Sequence, residues 1–138
     1  MINSKEQIIE YFSSGIKKIK DFKIGIEHEK FLFNNSNNTR IDYYRIKEMF
    51  AALLEFGWSP IYEKKNIIGL NKGGKNITLE PGNQIELSGE KLNNIHEACA
   101  ESQDYLFELR QVTKKLDIKI VSAGFDPISK LNEIPNNP

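Results

Sequence analysis

The chain has 138 residues, of which 39% are apolar and 28% are charged, a composition typical of a globular domain and not of a disordered tail. Its 19 Lys and Arg residues balance its 19 Asp and Glu residues, which argues against nucleic-acid-binding and polybasic membrane-surface proteins, because both classes carry a basic excess. No apolar run approaches the roughly 20 residues of a membrane-spanning helix. The single cysteine, Cys99, excludes an internal disulfide, so we expect a protein of the reducing cytoplasm with no membrane or nucleic-acid partner.

Three helices are predicted from apolar periodicity and capping residues. Ser4 begins the first, which covers about residues 5–18, and a glutamine follows it at capping-box spacing. Asp42 caps the second. The third covers about residues 92–116, and a buried thiol is expected at Cys99 because it lies in the apolar stripe. That stripe consists of Leu92, Ile95, Cys99, Leu106, Leu109, Val112 and Leu116.

Short extended segments lie between these helices. They are predicted at residues 21–34, 58–63, 67–71, 76–80, 84–88 and 118–124. The Pro81-Gly82 pair suits a type II turn, so Glu80 and Asn83 are expected at the two ends of a tight hairpin. Hairpin-linked strands combined with helices predict an α+β fold, in which an antiparallel sheet carries flanking helices.

The first candidate site is an acidic pair in the first strand. Glu27 and Glu29 share one face of that strand with Phe31 and Phe33, at backbone positions about 7 Å apart. Two carboxylates this close repel each other unless a proton or a cation lies between them, and a hard cation such as Mg²⁺ accepts oxygen ligands of this kind. The alternative is a solvated strand face. His28 lies on the opposite face and is predicted to be packed or hydrogen-bonded, not metal-bound.

The second candidate site is the hairpin at residues 78–88, of sequence TLEPGNQIELS. Glu80, Gln84 and Glu86 share one side of this hairpin, and apolar residues occupy the other. If the polar side meets the acids of the first strand, four carboxylates come together, an arrangement suited to two or more Mg²⁺ ions that bridge nucleotide phosphates. The alternative is an amphipathic hairpin that faces solvent. The pattern does not establish which strands pair.

Two blocks of the sequence resemble a known family. The blocks are GIEHEKF at residues 25–31 and ITLEPGNQIELSG at residues 77–89, and they resemble the N-terminal part of glutamate–cysteine ligase of the plant and proteobacterial type. HEACAE at residues 96–101 and GFDP at residues 124–127 continue the likeness in the same order. The E-P-G-x-Q-x-E-L-S block is the specific part, because E-H-E alone would be a weak signal.

The resemblance implies the N-terminal part of a glutamine synthetase-like carboxylate–amine ligase fold, in which an antiparallel, funnel-like sheet holds Mg²⁺ and ATP. It implies an enzyme that joins the γ-carboxylate of L-glutamate to the amine of L-cysteine through an acyl phosphate, with ATP converted to ADP and phosphate. This is the first step of glutathione biosynthesis. By the same resemblance Glu27, Glu29 and Glu86 are metal ligands, Glu80 is a further candidate ligand, and Gln84 lines the substrate or nucleotide site.

Ligases of this family run to several hundred residues. Residues 1–138 are therefore expected to be an incomplete N-terminal segment of the catalytic domain, without activity of its own, whose partner is the rest of the ligase chain. One alternative is a non-catalytic metal- or nucleotide-binding remnant of the fold. Another is a two-metal nuclease or phosphatase, which also uses clustered carboxylates. The absence of a basic patch in the sequence disfavours that last alternative.

Overall fold

A computed structural model describes residues 2–138, and its described strands form one antiparallel sheet. The strands are β1 (Glu27–Asn34), β2 (Ser59–Glu63), β3 (Asn66–Lys72), β4 (Lys75–Glu80), β5 (Gln84–Ser88) and β6 (Ile118–Val121). Their order across the sheet is β2-β3-β4-β5-β1-β6, so β2 to β5 form a meander and β1 joins it by long-range pairing. The prediction of an α+β fold is confirmed. The first strand is shorter than predicted, because Ile24 forms only an isolated bridge with Leu92.

The helices are α1 (Lys5–Ser14), α2 (Tyr43–Leu53) and α3 (Ile95–Lys115). Helices α1 and α2 begin at the predicted capping residues, whereas α3 begins after Asn94, three residues later than predicted. The Ser4 hydroxyl accepts a hydrogen bond from the Gln7 N–H at 3.3 Å, and the Asp42 carboxylate accepts one from the Arg45 N–H at 3.0 Å. Helix α1 ends at Ser14, with Gly15 as its C-cap, which is earlier than the predicted end at about residue 18. Within residues 2–138, no helix is long and apolar enough to cross a membrane.

The hydrophobic core lies between one face of the sheet and helices α2 and α3. Alternate strand residues and the inner faces of these two helices form a single buried cluster. Its fully buried members include Leu32, Ile46, Met49, Phe50, Leu70, Ile77, Ile85, Leu87 and Leu109. Helix α1 contributes no buried residue. One face of the sheet is therefore apolar and covered, which leaves the opposite face for polar side chains.

The predicted buried stripe of α3 was partly wrong. Leu109 and Val112 are buried as expected, but Ile95 is 65% exposed. Cys99 is also exposed and is not the buried thiol that was predicted. The inward positions are instead Ala98, Glu101, Tyr105, Leu109, Val112 and Thr113. A carboxylate occupies one of them because both Glu101 oxygens accept a hydrogen bond, at 3.2 Å, from the backbone N–H of the residue after Gly89.

The predicted hairpin is present, but its turn is one residue longer than predicted. The loop Pro81–Asn83 joins β4 to β5, and the closing pair is Glu80 with Gln84. Asn83 therefore belongs to the loop and does not close the hairpin opposite Glu80 as had been predicted. Its left-handed backbone, with φ of +56°, is held because its side-chain amide donates a 2.9 Å hydrogen bond to the Ile41 carbonyl in the protein interior.

Candidate functional site

Strand pairing brings the two predicted acidic segments side by side. In the antiparallel pair of β1 and β5, Glu29 lies directly opposite Glu86. In the pair of β4 and β5, Glu80 lies opposite Gln84. Directly paired residues project from the same side of a sheet, as do residues two apart in one strand. The side opposite the helices, which we call the carboxylate face, therefore carries Glu27, Glu29, Glu80, Gln84 and Glu86.

Uncharged donors, and not cations, contact three of the four glutamates of the carboxylate face. The donor and acceptor pairs are Gln84 to Glu29, Thr78 to Glu80 at 2.8 Å, and Ser88 to Glu86 at 3.2 Å. Among residues 2–138, none of the four glutamates forms a salt bridge with a lysine or an arginine. The face thus concentrates negative charge that no described basic side chain neutralises.

The pKa of Glu86 is raised, mainly by burial and to a smaller extent by this concentration of charge. Burial raises the pKa of Glu86 above its usual value, while the Ser88 hydrogen bond lowers it. The negative charges of Glu80, Glu27 and Glu29 raise it further. A proton or a cation at this face would relieve the repulsion, because it offsets charges that lie close together.

The donor chemistry of the carboxylate face fits a hard divalent cation such as Mg²⁺, which prefers carboxylate and carbonyl oxygens. The carboxylates do not converge on one point in their present rotamers. Among the described residues, no three acidic, histidine or cysteine side chains are grouped closely enough to hold an ion. The backbone therefore places the four glutamates on one face, and side-chain rotation would be needed to bring three of them to a common ion.

A small pocket of about 250 Å³ adjoins the carboxylate face where β1 begins and β5 ends. Its lining residues are Gly25, Ile26, Glu27, Ser88 and Gly89. Gly89 packs closely against α3, since a β-carbon at this position would lie 2.2 Å from Oε1 of Glu101. Gly89 is thus a tightly packed junction that ties the end of β5 to the helix behind it.

Arg40 lies at the other end of the face, next to Phe31 and Phe33 of β1. Its guanidinium lies 5.0 Å and 5.4 Å from the ring centres of Phe31 and Phe33. It also forms a 2.6 Å salt bridge with Asp126, in which the two side chains are only 3% and 10% exposed. Neither Arg40 nor Asp126 was predicted as a site residue, although Asp126 lies in the GFDP block that continues the family resemblance. A signal was available, because Arg40 is one of only three arginines in a lysine-rich chain, and a rigid, multidentate donor fork is something that lysine cannot supply.

His28 is packed behind the carboxylate face, as predicted. Its Nε2 lies 3.1 Å from the Ser102 hydroxyl, and its ring centre lies 6.1 Å from that of Tyr105. Burial and the positive charge of Lys30 lower the pKa of His28, and the Glu101 carboxylate opposes them. His28 therefore joins β1 to α3 and does not project toward the glutamates on either side of it.

Comparison with known proteins agrees with the resemblance. Residues 23–137 match Glutamate-cysteine ligase family 2. Over 136 residues, or 98% of this chain, the sequence is 39% identical to glutamate–cysteine ligase A, chloroplastic, of Oryza sativa subsp. japonica, 38% identical to the chloroplastic ligase of Nicotiana tabacum and 37% identical to that of Arabidopsis thaliana. The chain spans 26–28% of the length of these curated relatives. This chain belongs to Glutamate-cysteine ligase family 2.

Proposed function

We propose that this chain provides the carboxylate face of an ATP-dependent glutamate–cysteine ligase that acts in glutathione biosynthesis. In the proposed reaction the γ-carboxylate of L-glutamate attacks the γ-phosphorus of ATP, which forms an acyl phosphate and releases ADP. The amine of L-cysteine then attacks the acyl carbon and displaces phosphate. The proposal rests on family membership and on the names of the relatives, which are longer proteins. We expect the protein to act in the cytoplasm.

One structural observation carries the metal-binding part of this proposal: four glutamates without a basic partner among the described residues share one face of the sheet. We propose that Glu27, Glu29 and Glu86 hold Mg²⁺, that Glu80 is a further ligand, and that Gln84 orients Glu29 through their hydrogen bond. When bound, Mg²⁺ offsets the charge on the phosphate oxygens, which phosphoryl transfer requires. The negative charge of the carboxylates would bind the cation and fix its position on the face.

The groups that bind the phosphates and the two amino acids are proposed to come largely from the rest of the longer protein. Phosphate recognition ordinarily uses arginine and lysine, and the described carboxylate face carries neither in contact with its glutamates. The 138-residue chain is therefore expected to bind Mg²⁺. It should bind the complex of Mg²⁺ with ATP only weakly, and it should form no product.

Isothermal titration calorimetry with Mg²⁺, in the presence and absence of ATP, tests the metal-binding step. Glu86→Gln should weaken Mg²⁺ binding about tenfold or more, because it removes a charged ligand from the face. Glu63→Gln is the matched control, since Glu63 is exposed at the end of β2 and lies away from the face. Equal affinity in the two variants would contradict the proposed site.

An assay of ADP release with L-glutamate, L-cysteine, ATP and Mg²⁺ tests the catalytic step. The chain alone should show no turnover above background, and a full-length protein that contains it should form product. Robust turnover by residues 1–138 would contradict the view that the remaining part of the protein is required. Absence of product from the full-length protein would favour a non-catalytic remnant.

A further inference from the structure

The loop Pro81–Asn83 connects the two strands that carry Glu80, Gln84 and Glu86, and its backbone conformation is unusual. Gly82 and Asn83 have φ of +71° and +56°, so two consecutive residues occupy the left-handed region. For a residue with a side chain this region carries an energetic cost, and it persists where surrounding contacts determine it. The contacts that hold this loop therefore bear on the positions of Glu80 and Gln84.

One set of contacts comes from the segment just before α2. The Arg40 guanidinium donates a hydrogen bond to the Gly82 carbonyl oxygen. The next residue, Ile41, accepts the hydrogen bond from the buried Asn83 side chain at 2.9 Å. Arg40 is itself fixed by its salt bridge to Asp126, so the loop is attached to a rigid, buried cation.

A second set comes from the segment that follows β6. Asn137 forms two hydrogen bonds with the loop: its Nδ2 donates to the Glu80 carbonyl oxygen at 3.0 Å, and its Oδ1 accepts from the Asn83 N–H at 3.3 Å. The Ile134 side chain lies against Gly82, where a β-carbon would come within 2.8 Å of its Cγ2. Asp126 belongs to the same segment and links it to Arg40.

These contacts reach the carboxylate face through the ends of the loop. Glu80 and Gln84 are the residues that close the loop, and the Gln84 amide donates to the Glu29 carboxylate. A displacement of the loop would therefore move Glu80 directly and would move Glu29 through its hydrogen bond. Asn137 is hydrogen-bonded to the backbone of Glu80 and makes no contact with the Glu80 carboxylate.

We propose that Arg40 and Asn137 are positioning residues, which fix the loop Pro81–Asn83 and thereby set the positions of Glu80 and Gln84 on the carboxylate face. This inference rests on the proposed function, in which that face binds Mg²⁺. Neither residue contacts the carboxylate of a proposed metal ligand. Their effect on metal affinity is exerted through the backbone of the loop and through the Gln84 side chain.

The test compares Asn137→Ala with Asn136→Ala in the 138-residue chain. Asn136 is the matched control, because it is also exposed and forms no hydrogen bond within the described residues. Asn137→Ala should weaken Mg²⁺ binding about tenfold in calorimetry, as is typical when a group that orients a metal ligand is removed. It should also speed amide exchange at Asn83 about tenfold, the effect of one lost hydrogen bond, while the melting temperature stays close to that of the control.

Nuclear magnetic resonance separates this inference from the proposed function. Asn137→Ala should shift the Gln84 side-chain amide signal with no metal present, and Asn136→Ala should leave it unchanged. If the wild-type chain binds no Mg²⁺, the proposed metal site fails, and the positioning role is still judged by the Gln84 signal and the Asn83 exchange rate. Unchanged values of both in Asn137→Ala would overturn the positioning role. Arg40→Lys, which keeps the charge but loses the fork, should change both in the same direction.

Discussion

Two acidic regions lie on the same side of the sheet, and they are stabilised in opposite ways. At one end, Asp126 accepts hydrogen bonds from Arg40 and from the backbone N–H groups of Ile128 and Ser129. Burial alone would raise the pKa of Asp126, but these bonds outweigh it and lower the pKa to about 2. This carboxylate is charged and fully partnered by the protein.

The carboxylate face beside it has no such partner among the described residues. There the pKa of Glu86 is raised, first by burial and then by neighbouring glutamates, and one hydroxyl opposes the shift. Charge is therefore neutralised within the protein where a carboxylate holds loops together, and is left unneutralised where we propose that a cation from solution binds. The region around Asp126 thus contributes to stability, and the neighbouring carboxylate face is the one proposed to bind.

Removing Asp126 should produce the largest effect. Asp126→Ala leaves Arg40 buried without its counter-charge, and we expect a loss of about 3 kcal/mol in the free energy of unfolding. Urea denaturation measures this loss. The control is Glu48→Gln, which breaks the more exposed pair with Arg45 and should cost less than about 0.5 kcal/mol. Equal losses in the two variants would show that the buried Arg40–Asp126 pair contributes no more to the free energy of unfolding than the exposed pair does.

The pH dependence of stability should have opposite signs in the two regions. The pKa of Asp126 is about 2 in the folded chain against an ordinary value of 3.8, so the unfolded chain binds more protons at pH values between these two. The free energy of unfolding should therefore decrease as the pH is lowered through this window, by about 2 kcal/mol. The pKa of Glu86 is raised, so its protonation favours the folded state as pH falls.

Denaturation at a series of pH values measures both slopes. Glu86→Gln should make the loss of stability below neutral pH steeper, because it removes a group whose protonation favours folding. Asp126→Ala should make the loss between pH 4 and pH 2 shallower. An acid response that stays the same in both variants would contradict the proposed contrast.

The smallest predicted effect lies within the carboxylate face. Glu27→Gln removes one negative charge near Glu86, so the pKa of Glu86 should fall toward its usual value. Titration of the side-chain carboxyl signals by nuclear magnetic resonance measures this change, with Glu63→Gln as the control. An unchanged Glu86 titration would mean that the glutamates are not electrostatically coupled.

The sequence predicts the faces of the strands better than it predicts their partners. Alternation with a period of two correctly grouped Glu27 with Glu29, and Glu80 with Gln84 and Glu86, because it depends only on local backbone geometry. The pairing of β1 with β5 depends on long-range contacts that leave no local signal.

Buried polar groups account for the parts that sequence reasoning missed. Glu101 and Asn83 are buried because each makes hydrogen bonds to backbone groups distant in sequence, and counting apolar residues does not reveal such bonds. The Arg40–Asp126 pair was missed for the same reason. The metal-ligand roles of the glutamates stay predictions, which the calorimetry described above tests.

The position of β1 in the sheet has a consequence for folding kinetics. Glu80, Gln84 and Glu86 belong to a local meander whose strands follow one another directly, so they can assemble early. Glu29 meets Gln84 only across 55 residues of chain, and closing so long a loop has an entropic cost that local hairpins avoid. We therefore expect the carboxylate face to be completed late in folding, so that any species in which β1 is still detached has the acids of the hairpin without those of the first strand.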